Sequence, residues 1–591
     1  MKNLNSTYLK KLLSNHNKLF LIIFILFLAF FTRFYNLGNF YTEVDDLISL
    51  NKLKYDNLNI FDLANDKESP TYNSDIKIYI RELESKENDF INLIQEKISN
   101  LIFNLAASKT STYAPLQYFI FGWMINLEQN FYDLKIYSRL PSAIFSILTI
   151  IITYKISRKI FKSNIFLLFL PSLVLVFSYP IIFISQRSYN YSAGVFAVTL
   201  LFYLFLRENI YLDNKKVFID NYKIKFKKNF YFSLILTCCS YTSYLSVVLM
   251  PSFFIFKFIK NFFKKRQLFS VSNFNLFICG LMYSIMISPL LLYMIKLNLQ
   301  NYGVTDSAGI NGEYSIVGKD GEYIKFFVYN LYLIISKNLS FFLDSFAGAE
   351  ILQGIIFLIT MLGLINIYNQ KANETQKVIF LMFILTLFYW CGLVFFNQTT
   401  FGPTRHLLWL TPIVAIIFTI GIKNINDFLF KSNYLFSVII IFLITSIFFL
   451  NYPIFLNYHK DLLDEKKINN LIDKYNIKYI ASDPTIGQIC FMKSIKIRIN
   501  ICPKRYYRYE NIEQLNEGIL KNIKDIDGSI AFINYKFSKK NELDLIQLLK
   551  FLKTNQFNEL FMFEDIKYLS GESPLYVAKQ SPNFIKVFIY K

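Results

Sequence analysis

The chain has 591 residues, of which 54% are hydrophobic and 18% aromatic. Soluble domains hold about 45–50% apolar residues, and several apolar runs here approach the ~20 residues that cross a bilayer, so the composition excludes an ordinary soluble protein. The net charge of +21 does not indicate nucleic-acid binding, because the basic residues cluster in short loops, where they set membrane topology, and no nucleic-acid-binding motif is present.

The amino-terminal segment 1–18 is basic and contains no acids, so we predict that it stays in the cytoplasm. An apolar run at about 18–35 follows it without a signal-peptide cleavage site and predicts the first, outward crossing. Segment 36–113 has 13 acidic and 8 basic residues. We interpret 36–128 as an exterior loop that contains amphipathic helices lying on the membrane surface.

The later apolar runs predict further crossings whose ends alternate in charge as the positive-inside rule requires. The run "IYSRLPSAIFSILTIIITYKISRKIFK" ends in four basic residues, which indicates that it runs inward. Further crossings are predicted at about 164–184, 188–206, 229–243, 246–262, 273–296, 351–368, 377–396, 405–422 and 433–452. Eleven crossings put the amino terminus and the carboxyl tail on opposite sides, with residues 1–452 as the membrane domain.

The tail, residues 453–591, has a different pattern. Helix-like segments alternate with the strand-like segments "IKYIASD", "SIAFINY" and "ELFMFED", which favours a small exterior α/β domain. Its two cysteines, Cys490 and Cys502, could form a disulfide in an oxidising compartment, and two free thiols are an equal alternative. The predicted fold class is therefore a polytopic α-helical membrane protein with a small carboxyl-terminal α/β domain.

Three acids, Glu43, Asp45 and Asp46, follow the first crossing in "RFYNLGNFYTEVDD". At a membrane–water boundary a carboxylate is partly desolvated, which raises its pKa and makes it a better base. It can also bind a divalent cation. The simpler interpretation of these acids is a solvated polar surface.

Several segments, taken in order, resemble the GT-C integral-membrane glycosyltransferases. Arg33, Leu37 and the Asp45–Asp46 pair are similar to the opening "R…L……DE" pattern of this family. The later segments that resemble it are "TYAPLQYFIFGW", "SRLPSAIFSILTIIITYKISRKIF", "SQRSYNYS", "YTSYLSVVLMP" and "TRHLLWLTP". Together they span about residues 18–422. The nearest patterns are those of protein mannosyltransferases, lipid A aminoarabinose transferases and bacterial enzymes resembling both.

This resemblance implies a hexosyl or pentosyl transferase that uses a polyprenyl-phosphate sugar as donor. It implies an acceptor on the exterior face, whether a glycan, a lipid or a protein, as in lipopolysaccharide or protein glycosylation. It also implies a location in a membrane, for which we expect the bacterial inner membrane, with the carboxyl-terminal domain in the periplasm. By its match to the family pattern, Asp45 is the general base, and Asp46 occupies the second position.

The leaving phosphate needs cations where its charge develops. We expect them from Arg405, Arg187 and Arg139, with His406 adjacent to Arg405. Arg405 is predicted to begin a helix, whose amino end also favours an anion. The alternative for each arginine is interface anchoring or topology. Arg33 is expected to support the acidic loop structurally rather than to contact the substrate.

The sequence also departs from the family pattern. Tyr113 and Ala114 replace the first two residues of the "HPPL" motif, and Ser243 stands beside Tyr244 where many members have histidine. Metal-using members draw ligands from such positions, so we expect no tightly bound cofactor and at most a loosely held divalent cation at Glu43, Asp45 or Asp46.

Two other functions are open from the sequence. One is a transporter or flippase for lipid-linked glycans, although the inverted repeats and paired helix breaks of transporters are not evident. The other is an oligosaccharide ligase, which would need a cationic exterior loop, whereas segment 297–349 contains the acid-rich stretch "GVTDSAGINGEYSIVGKDGEY".

Overall fold

The structure is a computed structural model. It describes residues 19–35, 37–38, 116, 131–161, 164–188, 190–206, 222–265, 271–299, 332, 335–343, 346–368, 374–395, 404–429, 435–459, 474–482, 499–501, 529–534, 559–568 and 583–590. The acids Glu43, Asp45 and Asp46 lie outside these residues. So do the predicted surface helices, apart from the single residue Leu116.

Helices make up most of the described chain. They are α1 (Leu19–Phe34), α2 (Phe131–Ile160), α3 (Ile165–Phe177), α4 (Tyr179–Ser185), α5 (Tyr191–Leu206), α6 (Tyr222–Thr242), α7 (Tyr244–Lys265), α8 (Val271–Leu299), α9 (Ala349–Tyr368), α10 (Glu374–Phe395), a 3₁₀ helix (Thr404–Leu410), α11 (Thr411–Leu429) and α12 (Leu435–His459).

These helices lie where the apolar runs predicted crossings, within a few residues for most ends. Within the described residues, five helices are long and apolar enough to cross a membrane, and a sixth is obtained if the bent pair α3–α4 counts as one span. Shorter apolar helices include α1 and α5. The chain is therefore a helical protein with several membrane-spanning candidates, and the count of eleven crossings stays a prediction.

The crossing predicted at 164–184 is not one continuous helix, because α3 and α4 meet at an angle of 58°. Pro180, in the first turn of α4, has no N–H, so the carbonyl of Val176 loses its usual intrahelical donor. The N–H of Tyr179 donates to the carbonyl oxygen of Ser340 at 2.9 Å. The carbonyl of Leu175, which this N–H would reach in a continuous helix, therefore also lacks its intrahelical donor. Two main-chain acceptors at the end of α3 therefore need donors from elsewhere.

Helices α9 and α11 pack with their backbones in close contact. A Cβ atom added at Gly363 would meet the carbonyl oxygen of Ile417, and one added at Gly421 would meet the carbonyl oxygen of Ile359. Only glycine permits this approach, as in the small-residue interfaces of membrane helices.

The chain divides into two units. The first comprises residues 1–35, 109–117 and 139–453, and it contains most of the helices. The second comprises 36–108, 118–138 and 454–591. It contains a five-stranded sheet of β1 (Ile477–Ser482), β2 (Ile499–Ile501), β3 (Ser529–Asn534), β4 (Glu559–Tyr568) and β5 (Asn583–Tyr590).

The strand order is β2-β1-β3-β5-β4. Strand β1 is parallel to β2 and to β3, and β5 is antiparallel to β3 and to β4. Strands β1, β3 and β4 coincide with the three segments predicted as strands. The predicted helices between these strands lie outside the described residues, so the α/β assignment of the tail stays a prediction.

Candidate functional site

The side chain of Arg33, in the last turn of α1, is fully buried and supplies the donors that the end of α3 lacks. Its Nη2 donates to the carbonyl oxygen of Leu175 and its Nη1 to that of Val176, both at 2.6 Å. Nη1 also donates to Thr32 Oγ1 at 2.6 Å, and Nε donates to Ser146 Oγ of α2 at 3.1 Å. A cation at the carboxyl end of a helix is favoured by the helix dipole. Arg33 therefore caps α3. The acidic loop that it was expected to support lies outside the described residues.

Gln186, one residue beyond the end of α4, caps α1 in turn. Its side chain is fully buried. The amide nitrogen Nε2 lies 3.1 Å from the carbonyl oxygen of Thr32, 3.3 Å from that of Arg33 and 3.1 Å from that of Tyr35. The last carbonyls of a helix have no intrahelical donor, so this one amide serves most of the last turn of α1.

A second set of bonds connects the α3–α4 break to the 3₁₀ helix. Ser178, at the break, donates its hydroxyl to the carbonyl oxygen of Asn338 at 2.9 Å, next to the bond from Tyr179 to Ser340. The side-chain amide of Asn338 donates to the carbonyl oxygen of Leu407 at 3.2 Å. The short segment 335–343 thus joins α4 to the 3₁₀ helix through buried groups.

Arg139 is buried on α2, on the face that meets α1 and α5. Arg139 and Ser146, the acceptor of Arg33, are about two helical turns apart and therefore share a face. Between them, the carbonyl oxygen of Ser142 accepts a hydrogen bond of 2.6 Å from Ser192 of α5. The structure thus places Arg139 on the part of α2 that carries the network.

Arg187 follows Gln186 directly and is fully buried. Its guanidinium carbon lies 4.2 Å from the ring centroid of Phe183, a cation–π contact within α4 and its end. The same turn of main chain that directs Gln186 to α1 therefore sets the position of Arg187.

Arg405 and His406 are in the 3₁₀ helix, at its second and third positions. Arg405 is predicted to head a helix at about 405–422, and the structure has a 3₁₀ helix from Thr404 that runs directly into α11 at Thr411. Pro412, in the first turn of α11, cannot donate to the carbonyl four residues earlier, which separates the α-helix from the preceding 3₁₀ turns. Arg405 therefore lies in the first turn of the helical segment, before its α-helical part.

Ser243, where the family pattern has histidine, lies at the single-residue break between α6 and α7. A Cβ atom added at Gly194 of α5 would lie 3.1 Å from the hydroxyl oxygen of Ser243. Helix α5 therefore approaches the α6–α7 break closely at this point. A small side chain suits the buried contact.

The described residues bring together three segments that carry predicted site residues, namely α2, the α4 end and the 3₁₀ helix, and join them to the end of α1. Sequence reasoning missed Gln186, Ser178 and Asn338 as the residues that connect them. Pro180 and the motif "SQRSYNYS" were the available signals. No group of three or more His, Cys, Asp or Glu side chains that could hold a metal occurs in the described part of the chain, and the predicted acidic ligands lie outside it.

No protein-family model matches the chain, and no curated protein matches it. Among solved structures it is similar to ArnT from Cupriavidus metallidurans in the apo state, at 8% identity and a TM-score of 0.49, covering 98% of each chain. It is similar to the oligosaccharyltransferase AglB from Archaeoglobus fulgidus in complex with an inhibitory peptide and a dolichol-phosphate, at 10% identity and a TM-score of 0.46, covering 93% of this chain and 73% of that one.

An oligosaccharyltransferase structure from Archaeoglobus fulgidus tethered to an acceptor peptide gives 12% identity and a TM-score of 0.39, covering 71% of this chain. This chain spans 61% of the length of that structure.

Proposed function

We propose that the protein is a membrane glycosyltransferase that moves a sugar from a polyprenyl-phosphate donor to an acceptor hydroxyl on the exterior face. The observation that carries the proposal is the buried hydrogen-bond network that joins the end of α1, α2, the α3–α4 break and the 3₁₀ helix. These segments are far apart in the sequence, and each bears a family-like motif. A shared rigid core is what a catalytic site needs to hold such side chains in one geometry.

In the proposed reaction Asp45 removes the proton of the acceptor hydroxyl, whose oxygen attacks the anomeric carbon. The bond from that carbon to the phosphate oxygen breaks, the configuration inverts, and polyprenyl phosphate leaves. Asp46 occupies the second acidic position. The guanidinium groups of Arg405, Arg187 and Arg139, with His406, stabilise the charge that develops on the phosphate.

The finer architecture belongs to the same proposal. Residues 1–452 form the catalytic membrane domain with eleven crossings, and residues 453–591 form an exterior α/β accessory domain. The amino terminus is cytoplasmic, and the membrane is the bacterial inner membrane. The support is the alternation of basic and acidic loops.

The experiment is the substitution Asp45→Asn in the full chain, reconstituted in vesicles with a panel of undecaprenyl-phosphate-linked sugars and a panel of glycan, lipid and peptide acceptors. Loss of a general base lowers rates by about 100-fold or more, so release of undecaprenyl phosphate should fall at least that far. The thermal unfolding midpoint should stay that of the wild type, because asparagine has the same size. Asp56→Asn, on the same loop but in no motif, is the matched control and should retain activity.

Two results would overturn the proposal. Equal turnover by Asp45→Asn and wild type would remove Asp45 from the mechanism. Movement of the labelled lipid between leaflets without release of undecaprenyl phosphate, unaffected by Asp45→Asn, would identify a flippase instead.

A further inference from the structure

We infer that Gln186 is a positioning residue for the transfer reaction, because its side-chain amide fixes the carboxyl end of α1, from which the chain leads to Asp45 and Asp46. The inference rests on the proposed function for its catalytic consequence. Its structural part rests on described contacts alone.

The contact geometry is unusual for a helix end. The N–H of Tyr35 still bonds to the carbonyl oxygen of Phe31 at 2.9 Å, so the helical turn continues to Tyr35. Beyond that point the next donors for the last carbonyls would be water or the following chain. Here a single buried nitrogen, Gln186 Nε2, lies within 3.3 Å of three carbonyl oxygens of this turn.

Two opposed caps act on the same turn. Arg33 extends from α1 to the end of α3, and Gln186 extends from the end of α4 to α1. Rotation or translation of the last turn of α1 would lengthen the hydrogen bonds that Arg33 donates to α3 and those that Gln186 donates to α1. The end of α1 therefore has one orientation relative to the α3–α4 break. A misplacement of about 1 Å in a catalytic group can cost about 100-fold in rate, which gives this orientation a functional consequence.

The donor nitrogen carries the effect. Gln186 Oε1 has no hydrogen-bond partner among the described residues, whereas Nε2 has three acceptors. Gln186→Met and Gln186→Glu keep nearly the same volume and remove or replace the donors, whereas Gln186→Asn keeps an amide that is one methylene shorter. Ser172→Ala is the matched control, because it removes another buried interhelix bond, from Ser172 Oγ of α3 to the carbonyl oxygen of Ile150 at 3.3 Å.

The test combines hydrogen–deuterium exchange and turnover on the full chain in vesicles. Gln186→Met and Gln186→Glu should speed exchange in peptides covering 28–35 by at least tenfold, Gln186→Asn should do so less, and Ser172→Ala should not. With the same panels of undecaprenyl-phosphate-linked donors and acceptors as probes, turnover of the Met and Glu variants should fall at least tenfold at an unchanged KM for the donor. Gln186→Asn should recover part of that loss.

The outcomes separate the two claims. If Gln186→Met and Gln186→Glu exchange at 28–35 no faster than Ser172→Ala, the positioning role is overturned. Faster exchange with full turnover, or a loss confined to the KM, would overturn its link to catalysis. A wild-type protein that releases no undecaprenyl phosphate from any pair of donor and acceptor would defeat the proposed function, while the exchange result would still decide whether Gln186 holds the end of α1.

Discussion

At the scale of single residues, the buried arginines have different surroundings. The donors of Arg33 go to carbonyl oxygens and hydroxyls of the protein itself. A buried charge is costly unless it is hydrogen-bonded. Arg33 makes four hydrogen bonds, and two of them go to carbonyls that Pro180 and the Tyr179–Ser340 bond leave open. Its positive charge therefore serves the fold.

Arg33→Met should lower the free energy of unfolding by about 3 kcal/mol, because it leaves buried carbonyls without donors. Arg33→Lys should recover only part of this lost stability, because one ammonium group cannot reach the separated acceptors that the planar guanidinium reaches. The thermal unfolding midpoint in detergent measures both. A midpoint for Arg33→Met equal to that of Ser172→Ala would show that the capping bonds are not needed.

At the scale of elements, the α3–α4 break and the α9–α11 interface fix how the helices pack against one another. The break directs Gln186 to α1 and Ser178 to the segment before the 3₁₀ helix. The interface depends on two glycines facing carbonyl oxygens, with an added polar contact from Asn366 Nδ2 to Asn424 Oδ1.

Gly363→Ala and Gly421→Ala should each destabilise the protein by about 2 kcal/mol, because the new methyl group overlaps a backbone carbonyl that cannot move aside. Gly354→Ala, on the same helix α9, is the control. No atom lies within 4 Å of its added Cβ among the described residues, so it should be neutral or stabilising by up to about 1 kcal/mol. Urea or thermal unfolding in detergent would measure the difference, and equal midpoints for Gly354→Ala and Gly363→Ala would contradict the close packing.

At the scale of the whole molecule, the proposed membrane topology has eleven crossings. An odd number of crossings separates the termini. The two tail cysteines, Cys490 and Cys502, offer natural labels on one side, and a cysteine introduced at Ser6 offers one on the other.

With the cysteines at 238, 239, 279 and 391 replaced by alanine, a membrane-impermeant maleimide should label the tail of the full chain in intact cells after mild reduction. Ser6→Cys in the same background, with both tail cysteines also replaced, should be labelled only after permeabilisation. Labelling of both positions from one side would refute an odd number of crossings, and the reverse pattern would refute the orientation.

The sequence by itself determined where the helices and three of the strands lie, because length, apolar runs and alternation are local properties that need no partner. Strands β2 and β5 were missed, since the place of β2 beside β1 and that of β5 between β3 and β4 come from pairing with other segments of the chain. The order of the motifs likewise came from the sequence, together with the candidate acids and arginines.

Only the tertiary structure decided what Arg33 and Gln186 do, where the predicted crossing at 164–184 breaks and where α11 begins. Arg33 and Leu175 are 142 positions apart, and Gln186 and Arg33 are 153 apart. Which carbonyls lack donors depends on how the helices end and meet in space. A hydrogen bond is directional and short, so its partners follow from the packed arrangement rather than from spacing in the chain.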